Sequence, residues 1–186
     1  GNGLHEAKHL EEALSVQEAH LSMERRLGVP EEDLLLLVLK GNLANTYAKL
    51  GQLEKALSME RDIYSGRVKL HGNEHEDTFR AAYNLASTLG GLERFEDARS
   101  LLRRTIPAAR RVLGEGHRLA LKMRRAYAQS LYMDPGATLD DVREAVETLE
   151  SVVALWKRVL GEAHPETPRV QGALATARVA LAARAA

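Results

Sequence analysis

The sequence predicts an all-α protein, an α-solenoid built from about seven to eight helices that pack as antiparallel pairs. Three observations predict this fold. The chain of 186 residues repeats with a period of 42 residues, apolar residues recur at helical spacing within each repeat, and aromatic residues make up only 4% of the chain. Alanine and leucine therefore supply most of the packing, which favours helices over strands.

Equivalent residues of successive repeats are 42 positions apart. The triplet NLA begins at Asn42 and again at Asn84, and His75 is followed by His117 at the same distance. After the turn-rich stretch YMDPGATLDD the register slips by five residues, so that the next histidine of the series is His164. Several independent anchors at one period are the signature of a repeat array.

Each repeat reads as two helices. The first carries a small inner alanine, and the second begins with acidic residues, carries another small alanine and ends in basic residues before a glycine. These charges complement the helix dipole, and a glycine after the last turn is a typical stop signal. The inner alanines are Ala44, Ala86 and Ala128 in the first helices and Ala56, Ala98 and Ala145 in the second. The stop glycines are Gly72, Gly114 and Gly161.

These signals place eight helices along the chain. We expect them at residues 9–27, 32–50, 53–70, 75–90, 94–113, 117–133, 138–160 and 165–184. Pro107 falls inside the fifth helix, where a proline costs about 3 kcal/mol, so we expect a kink or a break there. First helices are expected to end near glycine or proline turns, at Gly51, Gly90–Gly91 and Pro135–Gly136.

The predicted domain organisation is a single repeat array over residues 1–186. It comprises a half repeat at 9–30, repeats at 31–72, 73–114 and 115–161, and a capping helix at 165–184. Because the array begins inside a repeat, we expect that it is part of a longer protein or has lost its native cap.

The segment GNLANTYAKLGQLEKAL, which begins at Gly41, resembles tetratricopeptide repeats. The anchors of that family are a small alanine, a turn glycine and a second alanine, here Ala44, Gly51 and Ala56. The long period and the string LGEAHPET followed by GALA are similar to repeats of the kinesin light chain type. HEAT-type repeats share the length, but the paired alanines favour the tetratricopeptide interpretation. The resemblance implies a right-handed superhelix whose first helices line a concave, peptide-binding groove.

The resemblance places the candidate binding residues on the first helices, at positions that hold polar and basic side chains and no acidic ones. They are Asn42, Asn45, Lys49, Arg80, Tyr83, Asn84, Ser87, Lys122, Arg125, Gln129, Tyr132, Arg169 and Thr176. Lys+Arg and Asp+Glu both number 26, so the chain has no net charge. A basic stripe on a neutral protein predicts a partner with acidic groups. Asparagine both donates and accepts hydrogen bonds, which suits a peptide backbone.

Some members of the family clamp a C-terminal carboxylate with five residues of three successive first helices. Three of these positions match: Asn45, Asn84 and Lys122. Gly41 and Ala126 stand where the clamp has a lysine and an arginine, and Lys40 and Arg125 lie one residue away, about 100° around the helix. The sequence therefore predicts peptide contact without a complete clamp.

The recurring histidines are predicted to mark repeat boundaries. His75, His117 and His164 occur once per repeat, so packed helices separate them by about 10 Å, too far to share a metal ion. Each lies between a stop glycine and the next helix, where its ring can hydrogen-bond exposed backbone groups. We find the i, i+4 spacing of a helical zinc motif only in His5 and His9, and we predict no metal site.

Other function classes are disfavoured. The sequence has no nucleophile elbow, phosphate-binding loop, dinucleotide-binding turn or zinc-protease motif, so we predict no enzyme and no cofactor. The balanced charge predicts no nucleic-acid partner. The longest apolar run, Leu34–Leu39, has six residues, so we predict no membrane partner. The absence of cysteine is compatible with a reducing compartment, and we expect a cytoplasmic location.

We therefore predict a protein–protein interaction module that binds an extended or helical peptide segment of a partner in a basic concave groove. The alternative is a structural scaffold that self-associates weakly into a homo-oligomer through its end helices. A third and more distant interpretation is a helical regulatory or catalytic part of a larger enzyme.

Overall fold

A computed structural model describes the backbone of residues 2–185 and the side chains of residues 8–185. The described residues form eight helices and no strand, which confirms the predicted all-α class. The helices are α1 (Asn2–Arg26), α2 (Leu34–Lys49), α3 (Leu53–His71), α4 (Glu76–Gly91), α5 (Phe95–Leu113), α6 (Arg118–Tyr132), α7 (Leu139–Leu160) and α8 (Thr167–Ala185).

The predicted helix bounds agree with the structure to within two residues for every helix except the first. The first helix, α1, begins at Asn2 instead of residue 9. Its opening stretch contains no proline to interrupt a helix, whereas the prediction relied on apolar spacing that becomes regular only later.

The chain divides into two compact units, Gly1–Thr88 and Leu89–Ala186, with the boundary inside α4. In the first unit α1 packs on α2, and α2 packs on α3. One core cluster of this unit consists of Leu21, Leu36, Leu43, Tyr47 and Ala56. A second cluster, formed by Ala44, Ile63 and Ala81, joins α2, α3 and α4.

In the second unit each helix from α5 to α8 packs on the next one along the chain. The helix α6 also contacts α8, so the first helices of successive predicted repeats meet directly. A core cluster formed by Leu121, Val152, Trp156 and Val170 joins α6, α7 and α8.

The six inner alanines predicted from the repeat pattern are all buried. They are Ala44, Ala86, Ala128, Ala56, Ala98 and Ala145. A methyl group occupies little space, so helices can approach closely at these positions. The prediction of small residues on the inner faces is therefore confirmed.

The stop glycines are confirmed by their backbone geometry. Gly72, Gly114 and Gly161 follow α3, α5 and α7 with φ of 79°, 94° and 85° and ψ of 179°, 154° and 163°. Only glycine adopts this region readily. The helix α4 ends at Gly91, within the glycine pair expected there. The positive φ of the turn after α4 belongs to Glu93, at 58°, whereas after α2 it belongs to Gly51, at 74°.

Pro107 does not break the fifth helix. The helix α5 continues from Phe95 to Leu113 with the proline inside, so of the two predicted outcomes the break is wrong. Pro107 lies on the exposed face, where water can bond the carbonyl group that its missing N–H leaves unpaired.

Among the described helices, none is both long enough and apolar enough to cross a lipid bilayer.

Candidate peptide-binding site

A cavity of about 460 Å³ in the first unit is lined by residues of α2, α3 and α4. Its volume falls in the range of about 300–1,000 Å³ that is usual for ligand pockets. The lining residues are Gly41, Asn45, Ala48, Glu60, Tyr83, Asn84, Ser87 and Thr88. The structure thus brings four predicted groove residues together, namely Asn45, Tyr83, Asn84 and Ser87.

The polar groups of this cavity come from two first helices. Asn45 on α2 and Asn84 on α4 are exposed, so their amide groups are accessible to a ligand. The Ser87 hydroxyl donates a hydrogen bond to the backbone carbonyl of Tyr83 at 2.8 Å, within its own helix. The two asparagines are therefore the groups of this cavity best suited to bond a peptide backbone.

Glu60 is an acidic residue in the wall of the cavity, whereas the predicted groove positions include no acidic residue. It belongs to α3, a second helix, and its side chain reaches the wall of the cavity. The residue is 6% exposed, and its Oε2 atom has no hydrogen-bond partner among the described residues. Burial raises the pKa of the Glu60 carboxyl group to about 7. One feature of the sequence could have identified Glu60: it is a charged residue at a position of α3 that helical spacing assigns to the core.

The remaining groove residues of the first unit lie outside the cavity. Asn42 and Lys49 are exposed on α2. Arg80 is exposed in the first turns of α4, and its guanidinium lies 2.9 Å from the Glu76 carboxylate and 3.6 Å from that of Asp77. These two acidic neighbours offset part of the positive charge that the sequence predicted here.

The second unit places three predicted residues close together on α6. Arg125 and Gln129 are half-buried, and Tyr132 is buried. Burial raises the pKa of Tyr132, whereas a hydrogen bond with Gln129 and the charge of Arg125 oppose this shift. The Nε atom of Arg125 is buried without a hydrogen-bond partner. Lys122, one turn earlier on the same helix, is half-buried.

The predicted binding side chains of the last helix, α8, already have partners within the chain. Arg169 of α8 is exposed and lies 2.9 Å from the carboxylate of Glu166. The Thr176 hydroxyl donates a hydrogen bond to the carbonyl group of Gly172 at 3.0 Å. Both side chains are therefore already bonded to neighbours in sequence.

Lys40 is unavailable to a ligand carboxylate. Its side chain is buried, and its Nζ atom lies 2.6 Å from Oε2 of Glu31 and 3.2 Å from Oδ2 of Asp62. Since Gly41 holds the neighbouring position, the first unit supplies no lysine to a carboxylate clamp.

The boundary histidines bond the backbone in the same way in each repeat. The Nδ1 atoms of His75, His117 and His164 accept hydrogen bonds from the N–H group two residues later, at 3.1, 3.3 and 3.2 Å. These bonds satisfy donors at the starts of helices, where no carbonyl partner is available. The predicted structural role of these histidines is therefore confirmed.

One histidine pair was missed in the sequence. His71 and His75 also have the i, i+4 spacing, so the prediction that only His5 and His9 share it is wrong. The rings of His71 and His75 stack with centroids 4.3 Å apart, and Asp77 lies close enough to complete a group of three potential metal ligands. The side chain of His5 lies outside the described residues.

The surroundings of this group oppose a cation. The guanidinium of Arg67 lies 3.5 Å from Nε2 of His71 and 3.7 Å from the carboxylate of Asp77. The Nδ1 atom of His75 is already bonded to the backbone N–H of Asp77. A positive charge beside the ligands repels a metal ion, so we assign no metal site here.

The chain matches family models described as tetratricopeptide repeat over residues 35–111 and 137–166. Together these matches cover more than half of the chain. No curated protein matches the sequence.

Solved structures share the fold at low sequence identity. A variant of a Podosopora anserina protein, described as a kinesin light chain with nearly identical TPR-like repeats, has a TM-score of 0.78 and 24% identity over 94% of this chain and 80% of that chain. A second structure of the Podosopora anserina protein has a TM-score of 0.76, with the same identity and coverage. BtubC (BKLC) from P. vanneervenii has a TM-score of 0.68 and 18% identity over 95% of this chain and 72% of that chain.

These structures support the solenoid fold and the resemblance to repeats of the kinesin light chain type, and the family matches agree with the buried alanines and stop glycines. The chain therefore belongs to the tetratricopeptide repeat family.

Proposed function

We propose that the chain is an interaction module that binds a peptide segment of a partner protein on the first helices of its repeats. Tetratricopeptide repeats generally mediate protein–protein interactions, which supports this role. The observation that carries the proposal is the cavity of the first unit, where Asn45 and Asn84 from two different helices line one space. Two exposed amide groups can bond the N–H and C=O groups of a bound backbone.

The proposal includes a partner segment with acidic groups. Arg125 supports it most directly, because its buried Nε–H lacks a partner and a carboxylate is the group that satisfies a guanidinium best. Lys49 and Lys122 add positive charge on the same set of helices. Because Arg80 and Arg169 are already paired with carboxylates, we expect a moderate preference for acidic segments, weakened by salt.

The proposal also covers how and where the module acts. Tetratricopeptide repeat proteins generally act as non-enzymatic scaffolds, and we propose the same here, without a cofactor. We further propose that the repeats at 31–72, 73–114 and 115–161 form a single array and that the protein acts in the cytoplasm.

An affinity capture from the source cell tests the proposal. The wild-type chain is compared with a double variant, Asn84→Ala plus Lys122→Ala, which removes one proposed contact from each unit. The control variant, Asn73→Ala plus Lys157→Ala, removes the same side-chain types from a connection and a second helix. We expect the control to capture the wild-type partners and the double variant to lose them. If the double variant captures the same proteins at the same strength, the groove proposal is wrong.

Self-association remains the second candidate, and one observation favours it. The helix α1 exposes Val16 and Met23 on one helical face, and Leu27, directly after the helix, is exposed as well. Light scattering distinguishes the two candidates: a mass that rises with concentration, and no longer rises after Met23→Glu, supports self-association. A constant monomer mass excludes it.

A further inference from the structure

We propose that the cavity of the first unit receives a basic side chain of the partner segment, whose hydrogen bonds are accepted by the carboxylate of Glu60. This inference rests on the proposed function and goes further, because it assigns the chemical class of one residue of the partner. It also gives the two units different ligand preferences, because Arg125 of the second unit has a buried Nε atom without a partner and favours an acidic group.

Glu60 is buried at the wall of the cavity. The residue is 6% exposed, it lines the cavity beside Asn45 and Asn84, and its Oε2 atom has no hydrogen-bond partner among the described residues. A buried carboxyl oxygen without a partner is destabilising, and native proteins rarely retain one. A donor from a bound segment would satisfy this oxygen.

Two other repeats have leucine at the position of Glu60. Ala56, Ala98 and Ala145 are equivalent alanines of the second helices, and the residues four positions later are Glu60, Leu102 and Leu149. Both leucines are fully buried. The fold therefore accepts an apolar side chain at this position, and packing gives no reason for a carboxyl group in the first unit alone.

Glu60 is the one charged residue among the described residues that line the cavity. The helix α2 contributes Gly41, Asn45 and Ala48, none of which carries a charge. The helix α4 contributes Tyr83, Asn84, Ser87 and Thr88, of which only the tyrosine is titratable. None of the described residues that line the cavity is a cation, so the Glu60 carboxylate is uncompensated there and complements an ammonium or guanidinium group.

A ligand in the cavity can reach the Glu60 carboxyl group after a rotation of its terminal torsion. The Oε2 atom is covered, although the Glu60 side chain lines the cavity. The terminal torsion of glutamate is broad, so the carboxyl group can turn toward the cavity when a donor enters. The exposed amides of Asn45 and Asn84 can then accept further hydrogen bonds from the same ammonium or guanidinium group.

A selection with short random peptides displayed on phage tests the proposal. The baits are the full chain, Glu60→Gln and the control Glu54→Gln, which removes an exposed carboxylate from the same helix. We expect the wild type and Glu54→Gln to enrich peptides with lysine or arginine at one fixed position, and Glu60→Gln to lose this preference. A selected lysine peptide should bind Glu60→Gln about tenfold more weakly or worse, and its norleucine analogue should bind wild type and Glu60→Gln alike.

The outcomes separate this inference from the proposed function. If the wild type enriches peptides without a fixed basic residue, or if the lysine peptide binds Glu60→Gln as tightly as wild type, the inference is wrong and the groove proposal stands. If no peptide is enriched, both are wrong.

The pH dependence distinguishes a basic ligand from a ligand carbonyl. Burial raises the pKa of Glu60 to about 7, so the ionised form that binds a cation is gained as the pH rises through that value. We therefore expect the lysine peptide to bind more tightly above neutral pH than below it, and Glu60→Gln to lack this dependence. Tighter binding below neutral pH would mean that a protonated Glu60 donates to the ligand, and would overturn the inference.

Discussion

The Nζ atom of Lys40 lies 2.6 Å from Oε2 of Glu31, although only 2% of the lysine side chain is exposed. Asp62 supplies a second carboxylate at 3.2 Å. Glu31→Gln plus Asp62→Asn would leave a buried ammonium group without a counter-ion. We expect this double variant to lower the free energy of unfolding, measured in urea, by about 2 kcal/mol. The loss stays below the 3–5 kcal/mol of a fully buried pair because both carboxylates are half exposed.

The exposed pair of Lys69 and Glu32 provides the control, because its Nζ to Oε1 distance is also 2.6 Å. We expect Glu32→Gln to leave the stability unchanged, since exposed ion pairs contribute little. If Glu32→Gln lowers the free energy of unfolding as much as the double variant does, the burial of Lys40 does not explain the loss of stability.

Gly66 lies in α3 directly against Leu37 of α2. A Cβ atom at Gly66 would lie 2.8 Å from Cδ2 of Leu37, which is buried and has little room to move. Alanine normally stabilises a helix interior by about 1 kcal/mol over glycine, but this overlap costs more, so we expect Gly66→Ala to destabilise by about 1 kcal/mol. At Gly172 of α8 nothing lies within 4 Å, and the same substitution should stabilise. Thermal unfolding of both variants checks the opposite signs.

His117 caps α6 through its Nδ1 atom, which accepts the N–H of Leu119 at 3.3 Å. We expect His117→Ala to lower the free energy of unfolding by about 1 kcal/mol, and His117→Asn, which retains an acceptor, to lose less. A chelator should change neither stability. If alanine and asparagine were equally harmful, the hydrogen bond would not be the reason for this histidine.

Glu60 makes the stability of the chain depend on pH. Burial raises its folded pKa from 4.5 to about 7, so the folded state binds the proton more tightly than the unfolded state. The stability is therefore full below about pH 4.5 and falls as the pH rises to about 7, by a total of about 3 kcal/mol. Urea unfolding across this range should show the loss in the wild type relative to Glu60→Gln. A difference between the two chains that stays constant with pH would contradict this origin.

Substitution by leucine at this position gives an independent check. We expect Glu60→Leu to be more stable than wild type above pH 7, because it removes the buried charge and matches the other repeats. Reduced stability at that pH would mean that the carboxyl group has a partner of its own.

The fold could be predicted from the sequence because its signals are local and repeated. Alanine spacing, acidic helix starts and stop glycines each depend on a few neighbouring residues, and their recurrence after 42 positions separates them from chance. The exceptions are local as well: Pro107 lies on an exposed face that tolerates it, and Glu93 adopts a backbone conformation that the sequence suggested for glycine.

The candidate site could be predicted only in part. The helical register predicted that Asn45 and Asn84 lie on the ligand-facing sides of α2 and α4, and the structure places both on the wall of one cavity. They are not equivalent positions, since the residue 42 positions after Asn45 is Ser87. Glu60 comes from a different helix, and the buried Lys40 pairs with Glu31 of the preceding connection. Both depend on contacts between elements, which periodicity does not describe.

The most direct test of peptide binding is to follow the side-chain amide signals of Asn45 and Asn84 by NMR while a peptide from a captured partner is titrated in. We predict that both signals shift in proportion to the bound fraction and that the signal of Asn73, in the connection between α3 and α4, stays in place. Saturable binding that leaves Asn45 and Asn84 unshifted would contradict the assignment of this cavity as the binding site.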